Sequence, residues 1–105
     1  MSQYKVRITR QAREHLQAIR SYIASTLFAP GTANELTGML YAEMKNLSEL
    51  PERIKLIDEE PWHRYDIRKK TAGNFYIYFW INESKKQVQV IAVIYAKRDQ
   101  KKTIG

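Results

Sequence analysis

The chain has 105 residues, 18 Lys and Arg against 11 Asp and Glu, a net charge of +7 and no cysteine. That length fits a single domain over residues 1–105, burying roughly 65% of the surface its unfolded form exposes. Without cysteine there is no disulfide framework, thiol nucleophile or cysteine zinc site, and no apolar run approaches a membrane span. The start MSQYKVRI reads as structure rather than as a signal peptide, so a cytoplasmic location is expected. Tyr4, Val6 and Ile8 alternate with Lys5, Arg7 and Thr9, the pattern of a half-buried strand. Thr9 can cap a following helix, whose stripe is Ala12, Leu16, Ile19 and Ile23. Phe28 to Gly31 punctuates the chain. A second helix is expected from the capping box Thr32-Ala33-Asn34-Glu35, with a stripe of Leu36, Leu40, Met44 and Leu47 and an end at Pro51. Gly38 inside it costs about 1 kcal/mol relative to Ala and marks either a close helix contact or a weak spot.

The segment from Pro51 to Pro61 is polar and irregular, with the acidic run Asp58-Glu59-Glu60. Three strands are expected beyond it: Tyr65 to Lys70, Phe75 to Ile81, and Gln87 to Tyr95. The fold class is therefore α+β: an N-terminal strand, a two-helix antiparallel hairpin, then a three-stranded antiparallel meander with the helices on one face.

Several chemistries drop out. Four glycines scattered at 31, 38, 73 and 105 form no phosphate loop. His15 and His63 fall in different elements, both read as surface residues, so no metal site and no cofactor are expected. No serine sits in a nucleophile-elbow pattern. The strand from Phe75 to Ile81 is aromatic on both faces. Phe75, Ile77, Phe79 and Ile81 face the core, leaving Tyr76, Tyr78 and Trp80 as a second core under the chain's own loops, a partner surface, or a base-stacking platform. The first two readings are the commoner ones.

The charge is one-sided. Residues 1–60 hold eight basic and eight acidic side chains, whereas residues 61–105 hold ten basic against Asp66, Glu83 and Asp99. Such a field attracts a polyanion or an acidic protein when it is more than a solvated face. In a meander the first and third strands end at one edge of the sheet. That predicts a bipartite basic patch of Lys69 and Lys70 with Lys97 and Arg98, and with Tyr95 between them, able to hold phosphate.

The closing residues GNFYIYFWINESKKQVQVIAVIYAKRDQ, from Gly73 to Gln100, lead through a G-N-x-Y strand to a final strand ending in an R-D signature. Together with Leu50-Pro51-Glu52-Arg53 after the second helix and Trp62 to Arg68 opening the sheet, this order resembles the RelE/ParE superfamily of type II toxin–antitoxin toxins. The resemblance covers essentially the whole chain. It implies a cytoplasmic toxin held inactive by a cognate, acidic antitoxin, with no membrane association. RelE-like members cleave messenger RNA on the ribosome without metal; ParE-like members block DNA gyrase and are not nucleases. A non-toxic nucleic-acid-binding module is the reading outside the family.

The resemblance favours the nuclease and carries its catalytic positions onto Arg68, Tyr95, Lys97 and Arg98, with Arg64, Lys69, Lys70, Lys101 and Lys102 as the nucleic-acid-binding set. This chain departs from RelE in two places. Tyr76 stands where many RelE members have arginine, and the tail Lys101-Lys102-Thr103-Ile104-Gly105 lacks their tyrosine, so Tyr95 would serve as acid or base.

Overall fold

The N-terminal alternation forms strand β1 (Lys5–Ile8), which Thr9 ends by turning the chain into helix α1 (Arg10–Ser21), in a computed structural model that describes residues 3–96. Thr9 Oγ1 accepts the Ala12 N–H at 3.3 Å, as expected of a cap, and α1 buries Ala12 and Leu16. A wider π-helical turn over Tyr22–Thr26 follows, and helix α2 then runs Pro30–Lys45. Arg20 at the end of α1 donates to Asn34 Oδ1 at 2.7 Å near the start of α2, so the two helices lie antiparallel.

Helix α2 begins two residues before the expected start at Thr32. Pro30 sits in its first turn, where a missing N–H is no loss, and the preceding Ala29 makes no side-chain cap. Proline, not the capping box, sets this boundary. The buried line is Ala33, Thr37, Leu40 and Met44, with Leu36 only half-buried. The Thr37 hydroxyl donates to the Ala33 carbonyl at 3.0 Å, so its burial needs no outside partner. Gly38 is exposed, and a Cβ there would meet nothing within 4 Å. It is a weak spot rather than a contact. Gly38→Ala should therefore stabilise the fold by about 0.5–1 kcal/mol, read as a higher melting temperature.

Strands β2 (Arg68–Ala72), β3 (Phe75–Asn82) and β4 (Gln87–Tyr95) form the expected meander, and β1 joins it as a fourth strand in the order β1-β4-β3-β2. The β1–β4 pairing is parallel; the other two are antiparallel. Strand β2 starts three residues later than the expected Tyr65. His63–Tyr65 forms a 3₁₀ turn, and Asp66 sits at a left-handed φ of 56°, which no strand continues. Between β2 and β3, Gly73 takes a φ of 60°, as a tight hairpin turn requires.

One face of the sheet packs on the helices, with Leu16, Leu40, Met44 and Leu47 against Ile77, Phe79, Val88 and Val90. Strand β1 stops opposite Val90, leaving the far end of β4 without a strand neighbour on that side. Side chains of α1 continue the bonding there: Gln11 Nε2 donates to the Ile91 carbonyl at 2.9 Å, and His15 Nδ1 accepts the Val93 N–H at 3.2 Å. His15 is thus a half-buried structural residue, not the surface histidine its helical position predicts. Among the described residues no helix is long and apolar enough to cross a membrane.

Candidate functional site

Register decides which face each basic residue of β2 occupies. Arg68 pairs with Phe79, Lys70 with Ile77 and Ala72 with Phe75, all on the helical face; Lys69 pairs with Tyr78 and Thr71 with Tyr76 on the other. Lys69 and Lys70 therefore project to opposite sides of the sheet. Lys70 Nζ reaches Glu43 Oε1 of α2 at 2.8 Å. Lys69 Nζ stands 4.3 Å from the centre of the Tyr76 ring, a cation–π distance. Arg64 lies 3.7 Å from Glu60 on an exposed turn.

Arg68 Nη1 donates to the carbonyls of Glu52 and Ile54, tying β2 to the segment that follows the helices. Tyr95 pairs with Phe75, their rings 5.4 Å apart, four residues along β3 from Phe79, the partner of Arg68. That offset is about 13 Å along the strands, with two strand spacings of about 5 Å across. Arg68 and Tyr95 are not brought together. Lys97, Arg98, Lys101 and Lys102 lie outside the described residues.

The second aromatic row is partly covered. Ile57 and Ile67, from the segment between α2 and β2, bury Tyr78. Trp62 packs on that ring at 5.8 Å, tilted by 43°, and Tyr76 meets it edge-on at 6.4 Å. Tyr76 and Trp80 stay half-buried beside Ile91 and Ile94. A base-stacking platform needs open ring faces, which Tyr78 does not offer. Beside this row lies an open cleft of ≈ 370 Å³ lined by Lys55, Leu56, Ile57, Asp58, Glu59 and Lys69. Asp58 and Glu59 repel the phosphate that the two lysines attract, so the cleft is not a phosphate cradle. His63 is exposed, with Nδ1 directed at the Ile57 carbonyl at 3.1 Å. Among the described residues no three His, Asp or Glu side chains gather to hold a metal ion.

The most perturbed groups are ones the sequence does not single out. The buried Tyr4 hydroxyl lies 2.6 Å from Glu52 Oε2, to which it donates, and 2.9 Å from Glu83 Oε1. Lys86 Nζ stands 5.0 Å from the Tyr4 ring centre. The bond to Glu52, then burial, then Glu83 push the Tyr4 hydroxyl far above its ordinary 10.0. The same bond, foremost, holds the Glu52 carboxyl below its ordinary 4.5, helped by Lys86 and Arg68. Tyr4, Glu52 and Glu83 come from three separate segments, so no local motif could have announced the cluster. It joins β1, the segment after α2 and the β3–β4 turn, and acts as a latch.

A family model described as the ParE toxin of the type II toxin–antitoxin system parDE matches residues 6–100. No curated protein matches the chain. Among solved structures, the chain is similar to the chromosomal ParDE toxin–antitoxin system from P. aeruginosa, with 19% identity, a TM-score of 0.74, and coverage of 90% of this chain and 98% of that one. It is also similar to the toxin–antitoxin complex RelBE2 from Mycobacterium tuberculosis, at 20% identity and a TM-score of 0.58 over 89% of this chain and 98% of that one. The archaeal RelE–RelB complex from Pyrococcus horikoshii aligns at 17% identity and a TM-score of 0.60, over 93% of this chain and 99% of that one. At these identities the structures attest a shared fold.

Proposed function

The chain belongs to the ParE toxin family of type II toxin–antitoxin systems, and from that premise we propose that it arrests growth by binding and poisoning DNA gyrase in the cytoplasm, held in check by a cognate acidic antitoxin. The observation that carries this reading is the engagement of Arg68. Cleaving RNA at a 2′-hydroxyl needs a base, an acid and a cation converging on one phosphate within about 3 Å. Arg68 faces two backbone carbonyls instead, and Tyr95 stands at the other end of the meander. A stoichiometric poison needs no such convergence, only a surface complementary to its target. The resemblance of the solved relatives, which include ParDE and RelBE complexes, supports an antitoxin partner for this chain.

The messenger-RNA endoribonuclease is the second reading. It rests on Tyr95, 42% exposed at the end of β4 and two residues before Lys97. Purified toxin titrated into a gyrase supercoiling reaction separates the two. Loss of supercoiling with transcripts intact on translating ribosomes is the expected result. Cut transcripts with gyrase unaffected would reverse the order.

A further inference from the structure

Where α1 ends, the chain does something its own stability does not call for. Phe28 sits at a left-handed φ of 54°, a position that helix ends ordinarily fill with glycine, and its side chain is 86% exposed. The turn around it is ordered: the Leu27 N–H bonds the Tyr22 carbonyl at 3.1 Å and the Ala29 N–H bonds the Ile23 carbonyl at 3.0 Å. Leu27 and Tyr22 beside it are 54% and 56% exposed. Phe28 thus neither eases the backbone nor packs against anything, which is how strained residues held for binding behave.

We propose that this tip of the helical hairpin, Tyr22, Leu27 and Phe28, is the element that enters an apolar socket on the toxin's protein target; the identity of that target as gyrase rests on the reading above. Residues 21–34 carry no charged side chain at all, in a chain where 28% of residues are charged. Nucleic acid is therefore not the occupant, because no cation of the tip can meet a phosphate. An acidic antitoxin finds no charge complement there either. On a second copy, two open clefts are lined by charge, one by Lys55, Asp58, Glu59 and Lys69 and the other by Arg10, Arg13 and Glu14, and neither suits an apolar tip. A protruding, uncharged aromatic tip instead matches the anchor residues that dominate protein–protein affinity.

The test uses Phe28→Asn, which suits a left-handed φ better than Phe, and Leu27→Ser as an independent second variant. Both should keep the wild-type melting temperature, yet need at least about tenfold more protein to inhibit gyrase supercoiling, as loss of an anchor residue does. Growth arrest on induction without antitoxin should weaken in parallel. Wild-type potency and wild-type arrest in both variants would overturn the proposal. A wild-type dimer in sedimentation that Phe28→Asn dissolves would overturn it in favour of self-association. If wild-type protein leaves gyrase untouched, the gyrase reading alone falls, and weakened arrest in the variants still locates the target-binding element at the tip.

Discussion

Arg68→Ala is expected to lower the stability of the fold by roughly 2–4 kcal/mol, which thermal or denaturant unfolding would measure directly. The guanidinium donates to the carbonyls of Glu52 and Ile54, and an isolated bridge between Leu56 and Arg68 continues the same seam. Removing it leaves two carbonyls short of a charged donor and frees the segment that carries Ile57 over Tyr78. Arg68→Lys keeps the charge, but its shorter side chain lacks the rigid plane that holds Nη1 between both carbonyls, so it should recover only part of the loss. A catalytic arginine behaves differently: its alanine variant would melt like wild type and fail only in the assay. Wild-type stability of Arg68→Ala with abolished toxicity would therefore restore Arg68 to an active site and revive the nuclease reading.

The elements whose periodicity lies within one segment were legible. Alternation at Tyr4, Val6 and Ile8, the stripe at Ala12 and Leu16, and the run from Gln87 to Tyr95 each fix a local conformation that the sheet and helices adopt. What escaped depended on phase or on distance along the chain. Moving the start of β2 from Tyr65 to Arg68 is a small error of boundary; what the patch reading left out is that adjacent strand residues alternate, so Lys69 and Lys70 face opposite sides of the sheet, while its Lys97 and Arg98 lie outside the described residues. The parallel pairing of β1 with β4 spans more than 80 residues, and no propensity encodes it. His15 illustrates the same limit. Its helical position lies off the apolar stripe, yet the early end of β1 opens a backbone donor on β4 that this side chain reaches.

The charge asymmetry sharpens accordingly. Of the described cations in residues 61–96, five face neighbours of their own: Arg64 faces Glu60, Lys70 faces Glu43, Lys69 the Tyr76 ring, Arg68 two carbonyls and Lys86 the Tyr4 ring, while Lys85 is exposed in the β3–β4 turn. Part of the field that composition assigns to a polyanion holds the fold together.

Tyr4→Phe should lower the melting temperature at pH 7 by about 5 °C or more, and that deficit should depend on pH in a way a packing defect would not. The phenolic hydroxyl lies between two carboxylates; without it Glu52 and Glu83 meet at the end of the Tyr4 ring with Lys86 and Arg68 to offset Glu52. Because the Glu52 carboxyl is depressed in the fold, its contribution is present above the unfolded value of 4.5 and is lost as pH falls through the lower folded value. Wild type should thus lose stability below about pH 4.5, while Tyr4→Phe, with no bond to lose, declines less; the gap between them closes in acid. The alkaline side has the opposite sign. Tyr4 ionises in the unfolded chain near 10.0 but stays protonated in the fold, so the wild-type advantage shrinks again as pH rises past that value. Melting curves of both proteins between pH 3 and pH 11 would show a difference that peaks in the middle. A constant offset across that range would mean that the hydroxyl packs rather than bonds, and that the latch between β1, the segment after α2 and the β3–β4 turn holds without it.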